Sequence, residues 1–77
     1  MKQSVKRVLD RYDKDRIPTG GFLRAVLAND LLDAIARGDT ENLRDLCEIV
    51  CYISVELPVE SYGSYKAVAE WLTGKKI

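Results

Sequence analysis

Pro18, Gly38 and Pro58 divide this chain of 77 residues into four stretches, and that punctuation constrains the fold more than any other feature. Proline lacks an N–H and clashes with the preceding helical turn, while glycine is the residue best suited to end a helix. Between these breakers the apolar residues recur every three or four positions, the period of a helix with one buried stripe. Val5, Val8, Leu9 and Tyr12 define a first helix over about 4–12. Phe22, Leu23, Val26, Leu27, Leu31, Ala34 and Ile35 define a second over about 20–37, with Gly38 expected as its left-handed terminator. Leu43, Leu46, Cys47, Val50, Ile53, Ser54 and Leu57 define a third over about 40–56, with Asp39 or Thr40 as N-cap. Read alone, Ile49–Ile53 would also suit a strand, but length and the flanking periodicity favour helix. Ser64 caps a last helix over about 64–73, whose inner face is Tyr65, Val68, Ala69 and Leu72; Trp71 covers the core edge and residues 73–77 fray.

The expected architecture is all-α, a small bundle of three to four helices in one domain spanning 1–77. The short connector at 38–41 makes helices two and three a central antiparallel hairpin. Composition agrees: 47% hydrophobic and 31% charged residues describe a chain that folds. The longest apolar run is too short to cross a bilayer and the N-terminal residues lack a signal-peptide core, so a cytoplasmic protein without a membrane partner is expected. A chain of this size buries only about 60% of its unfolded surface, which makes homo-oligomerisation an expectation in its own right.

Ile17-Pro18-Thr19-Gly20-Gly21-Phe22-Leu23-Arg24 is the segment best suited to hold a ligand. A rigid turn and two glycines run into a helix start, where backbone N–H groups lack intrahelical acceptors, and Arg24 adds a guanidinium. Thr19, Gly20, Gly21 and Arg24 together form the donor array that a phosphate requires. The structural alternative is that Thr19 caps the helix, the glycines only permit the turn, and Arg24 pairs with an acidic residue. Asn29 and Asp30 lie in an apolar stretch and need partners; Asn29 either orients the turn or reads a polar edge. Tyr12 and Tyr62 are candidates for stacking on a base.

Catalysis finds no support. There is no histidine, nucleophile elbow, Walker loop or metal-ligand cluster, so no enzyme, metal or cofactor is expected. Cys47 and Cys51, one helical turn apart, are expected to serve packing. Residues 1–24 carry seven Lys or Arg against three Asp, and residues 25–70 three against nine acidic groups. The third helix is therefore acidic, the wrong sign for a recognition helix, and duplex DNA is an unlikely partner on charge alone.

Ile17-Pro18-x-Gly20-x-Phe22-Leu23-x-Ala25-Val26-Leu27-x-Asn29-Asp30-Leu31, followed by Ala34, Asp39, Asn42-Leu43, Ile49-Val50-x-Tyr52, Glu56-x-Pro58, Gly63-Ser64 and Trp71, resembles a family of short conserved proteins of tailed bacteriophages. Many members carry Cys-Trp before the late Gly-Ser pair, where this chain has Ser61-Tyr62. The resemblance implies a viral protein acting by binding in the host cytoplasm. Two expectations follow: sequestration of an anionic nucleotide-like signalling molecule to counter host defence, or docking on a host or phage protein through the acidic helix and exposed Tyr62 and Trp71.

Overall fold

In the computed structural model, which describes residues 1–74, the chain is all-α. Six α-helices and one 3-10 turn occur among the described residues: α1 (Gln3–Asp15), α2 (Gly21–Leu27), α3 (Leu31–Arg37), α4 (Thr40–Arg44), α5 (Leu46–Glu56), the 3-10 turn (Val59–Ser61) and α6 (Tyr65–Thr73). The fraying expected for residues 75–77 lies outside the described residues.

Where one helix was expected over 20–37, the chain forms two. Asn29 is the cause: it adopts a left-handed conformation at φ 62°. Its N–H donates to the Val26 carbonyl (3.1 Å) and that of Asp30 to the Ala25 carbonyl (2.8 Å). This pair of bonds is the Schellman closure that ends α2, and asparagine is the commonest non-glycine residue to adopt that conformation. Asp30 then caps α3 by accepting from the Asp33 N–H at 3.2 Å. The stretch expected at 40–56 is also divided, at Asp45. Backbone bonds run through that point, from Asp45 N–H to Glu41 and from Ile49 N–H to the Asp45 carbonyl, so it is a bend rather than a stop. Neither helix of the expected central hairpin is therefore continuous.

Gly38 departs from expectation too. Its backbone is extended (φ −75°, ψ 143°), not left-handed. Crowding favours glycine there: a Cβ would lie 2.8 Å from both Leu43 Cδ2 and Phe22 Cε1, so a larger residue would have to displace those two side chains.

The core gathers Val5, Leu9 and Tyr12 from α1, Leu23, Leu27 and Ala28 from α2 and its end, Ile49, Ile53 and Leu57 from α5 and its end, and Val68 from α6. Tyr12 is 1% exposed and donates its hydroxyl to the Ser61 carbonyl at 2.7 Å, which ties α1 to the 3-10 turn. Trp71 donates Nε1–H to the Tyr12 carbonyl at 2.9 Å and so docks α6 on the end of α1. The Gly63 N–H donates to the Leu27 carbonyl at 2.7 Å and seats the connector on α2.

Three expectations of burial are corrected. Cys47 and Cys51 are both exposed. Tyr65 and Ala69 lie on the exposed side of α6, where only Val68 is buried. Leu31 and Ile35, placed in the buried stripe by periodicity, are exposed because the break at Asn29 resets the helical phase.

Candidate functional site

The expected anion site divides under inspection. Gly20 is the N-cap of α2, with φ 95° and ψ 171°, a region open essentially to glycine alone. The Thr19 hydroxyl donates to the Gly20 carbonyl at 3.2 Å and provides no cap bond. Arg24 is exposed, with its guanidinium 4.9 Å from the Tyr65 ring centroid, and it makes no ion pair among the described residues. The Tyr65 hydroxyl donates to Asp30 Oδ2 at 2.6 Å. That bond, with the Asp33 N–H, holds the Asp30 carboxyl below the usual range.

A residue that sequence reading overlooked adjoins this segment: a Cβ on Gly21 would lie 3.0 Å from Arg37 Nη1. Arg37 is itself anchored by Nε to Asp33 Oδ2 at 2.8 Å. Two guanidiniums therefore attend the start of α2, one stacked on tyrosine and the other already paired. Only the later phase of the chain, beyond the break at Asn29, brings Arg37 back to Gly21.

Tyr12 has no part in such a site. It is buried, its hydroxyl is committed to Ser61, and its ring cannot stack on a ligand. Asn29 and Tyr62 do come together. With Val26, Leu27, Val50, Ile53, Ser54 and Gly63 they line an open groove of about 300 Å3, separate from the Thr19–Arg24 segment in its lining.

A second groove, about 60 Å3, is lined by Val26, Asn29, Asp30, Leu31, Ala34, Leu46 and Val50. It marks the seam between α3 and α5, and on either side of it lies the largest feature absent from the sequence reading. α3 has only Ala34 buried, whereas Leu31, Leu32 and Ile35 are 60%, 84% and 46% exposed. α5 buries Ile49 and Ile53, but Cys47, Val50, Cys51, Ser54 and Val55 are exposed and uncharged. An available signal was the amount of apolar surface: Leu31-Leu32-x-Ala34-Ile35 and Ile49-Val50-Cys51-Tyr52-Ile53 hold more than one buried stripe can absorb.

Several charges elsewhere are paired within the chain. The amino group of Met1 pairs with Glu48, and Lys2 reaches Asp39 (3.7 Å) and Glu41 (3.4 Å). The Asp39 carboxyl is held low first by the Asn42 N–H it accepts. Burial pushes the Tyr12 phenol up to about 12, and donation to Asp10 Oδ1 at 2.5 Å pushes Tyr52 up to about 12.

These shifts set the edges of the stability profile. Both phenols stay neutral in the folded chain above the unfolded value of about 10. Their stabilisation is complete below pH 10 and is lost as pH rises through about 12. Asp30 and Asp39 have lowered folded values, so their contribution is present above an unfolded pKa of about 4 and disappears as pH falls through the lowered ones. Urea midpoints measured across pH should fall at both ends, and Tyr52→Phe should flatten the alkaline limb; an unchanged alkaline limb would contradict the Tyr52–Asp10 assignment.

No protein-family model, curated protein or solved structure matches the chain. Among the described residues no group of three or more His, Cys, Asp or Glu could hold a metal ion, and no helix is long and apolar enough to cross a membrane.

Proposed function

We propose that this chain is a non-catalytic docking module that binds protein through the uncharged face of α3 and α5. The carrying observation is the orientation of α3, whose alanine faces inward while Leu31, Leu32 and Ile35 face solvent. Apolar side chains in such number are left outside a small fold when another surface covers them in use. The occupant is an apolar protein surface. Leu31, Leu32, Ile35, Val50 and Val55 offer no cation to a phosphate backbone, and the seam of about 60 Å3, whose lining includes the Asp30 carboxylate, admits a side chain rather than a nucleotide. This reading moves the contact from the acidic groups of the 40–56 stretch and from Trp71 to the apolar side chains of that same stretch, since Glu41 and Glu48 are paired within the chain and the Trp71 ring lies 3.5 Å under the Arg16 guanidinium.

A second reading retains sequestration of a nucleotide-like anion. The observation that favours it is the approach of Arg37 to Gly21, one helical turn from Arg24.

One set of samples tests both. In dilute solution the wild type should enhance the fluorescence of bis-ANS, a dye that reports exposed apolar surface, and Leu32→Glu and Val50→Glu should each abolish most of that signal. Equal fluorescence in all three proteins would sink the docking reading. Thermal melting of the same samples with ATP decides the second reading: a shift present in wild type and lost in Arg24→Ala would move the working site to the start of α2.

A further inference from the structure

We infer that Cys47 and Cys51 form a chelating dithiol on α5 that binds one soft cation of two-coordinate habit, cuprous copper being the biological member of that class. The site goes beyond the docking reading and needs no partner chain.

Both residues are free thiols and both are exposed. Cysteine is among the residue types most often found fully buried, so two of them turned to solvent on one helix call for a role other than packing. Their presentation is fixed by the helix that carries them. Ile49 stands two residues from each, about 200° around an α-helix of 3.6 residues per turn, and it is 1% exposed. Ile53 is 4% exposed and holds the next turn to the core. With these side chains buried, α5 is held in one rotational setting, and its opposite side carries the two thiols outward on adjacent turns.

The spacing suits a chelate. Residues four apart on a helix have Cβ atoms about 5–6 Å apart. Metal–thiolate bonds are about 2.3 Å long, so two sulfurs in line across one metal stand about 4.6 Å from each other. Thiols on adjacent turns come within that reach by side-chain rotation, with no change of backbone.

The donor set decides the metal. Thiolates are soft ligands and select soft cations. A closed zinc site takes four ligands, and among the described residues no group of three or more His, Cys, Asp or Glu is available to build one. The chain has no histidine, and Glu48, which lies between the two cysteines in sequence, is paired with the Met1 amino group. Two sulfurs alone are a deficient set for zinc but a complete one for a linear cuprous ion, so the ligand count that argues against zinc does not apply to copper in this state. On binding, each thiol loses its proton and each sulfur donates an electron pair to the metal. Two protons leave, copper stays cuprous, and the bound unit carries one net negative charge.

The test is competition for cuprous copper against ferrozine, whose copper complex is coloured, in oxygen-free buffer with ascorbate, combined with native mass spectrometry. Wild type should withdraw one copper per chain from the dye. Cys47→Ser and Cys51→Ser, both at exposed positions, should keep the far-ultraviolet circular dichroism spectrum of wild type. Each should hold copper about 10²–10⁴-fold more weakly, because one ligand remains where two were tethered. Cys51→Ser combined with Ser54→Cys retains two thiols per chain but sets them seven residues apart, about 10 Å along the helix, and it should behave like the single variants. Copper held undiminished by either serine variant or by the rearranged pair would overturn chelation across adjacent turns. One copper per two chains, or zinc held as tightly as copper, would mean that sulfurs of separate chains combine, and would overturn the single-chain site. A wild type that withdraws no copper would overturn the site outright while leaving the docking face in place.

Discussion

Tyr12→Ala should bring the chain to the edge of unfolding at room temperature. A domain of 77 residues has a total stability of about 4–12 kcal/mol, and truncating a buried aromatic costs about 3–5 kcal/mol. Tyr12 is 1% exposed at the centre of the core, with α1, the 3-10 turn and α6 meeting around it. The ring and the hydroxyl contribute separately. Tyr12→Phe keeps the packing but leaves the carbonyl of fully buried Ser61 without its donor, at a cost of about 1–3 kcal/mol. With a urea slope near 1 kcal/mol/M for so small a chain, the phenylalanine variant should lose about 1–3 M in its midpoint, and the alanine variant about 3–5 M or its whole folded baseline. A Tyr12→Phe midpoint equal to that of wild type would refute the Ser61 bond.

Trp71→Ala should be the next most damaging change, at about 3 kcal/mol, the lower end of the range for a truncated aromatic because the ring is only partly buried. Three interactions converge on this residue. Its Nε1–H satisfies the Tyr12 carbonyl, one of the last four of α1 and hence without an intrahelical donor. Its own carbonyl accepts from Arg16 Nη1 at 2.8 Å. Its ring carries the Arg16 guanidinium 3.5 Å from the centroid. Arg16 has a left-handed backbone at φ 58°, a conformation disfavoured for a side chain with a Cβ and sustained here by those contacts. A double-mutant cycle on Arg16→Ala and Trp71→Ala should therefore give a coupling of about 1 kcal/mol. Strict additivity of the two changes would mean that stacking and hydrogen bond contribute independently of one another.

Retained function after both losses would be informative about the site. Tyr12 and Trp71 are core and edge residues, and neither borders the α3–α5 face in the grooves that define it. Their substitution should weaken docking only in proportion to the unfolded fraction, whereas Leu32→Glu should weaken docking with no change in stability.

Legibility in the sequence was uneven, and particular residues show why. The all-α class followed from apolar periodicity alone, and Ser64, Asp39 and the breakers Pro18 and Pro58 marked helix limits correctly to within a few residues. These are local effects: caps and breakers act on N–H groups three or four positions away, so the information is contained in the segment itself. The same locality explains Asn29, whose capacity for a left-handed turn was present in its side chain but was outweighed on paper by seven apolar residues in phase across 22–35.

What the chain could not disclose on its own is which side of each helix finds a neighbour. Leu31, Leu32 and Ile35 are as apolar as Leu23 and Leu27, yet one group faces solvent and the other is buried, because a single residue at φ 62° rotates α3 relative to α2. Tyr12 and Tyr65 were alike as aromatic residues on helices, but only the first meets a backbone carbonyl in the core. Helix formation was determined by sequence-local hydrogen bonding and periodicity. The choice of core, the pairing of Arg16 with Trp71 and the exposed α3–α5 face were decided by packing between segments distant in the chain, where burial depends on geometry that no local pattern encodes.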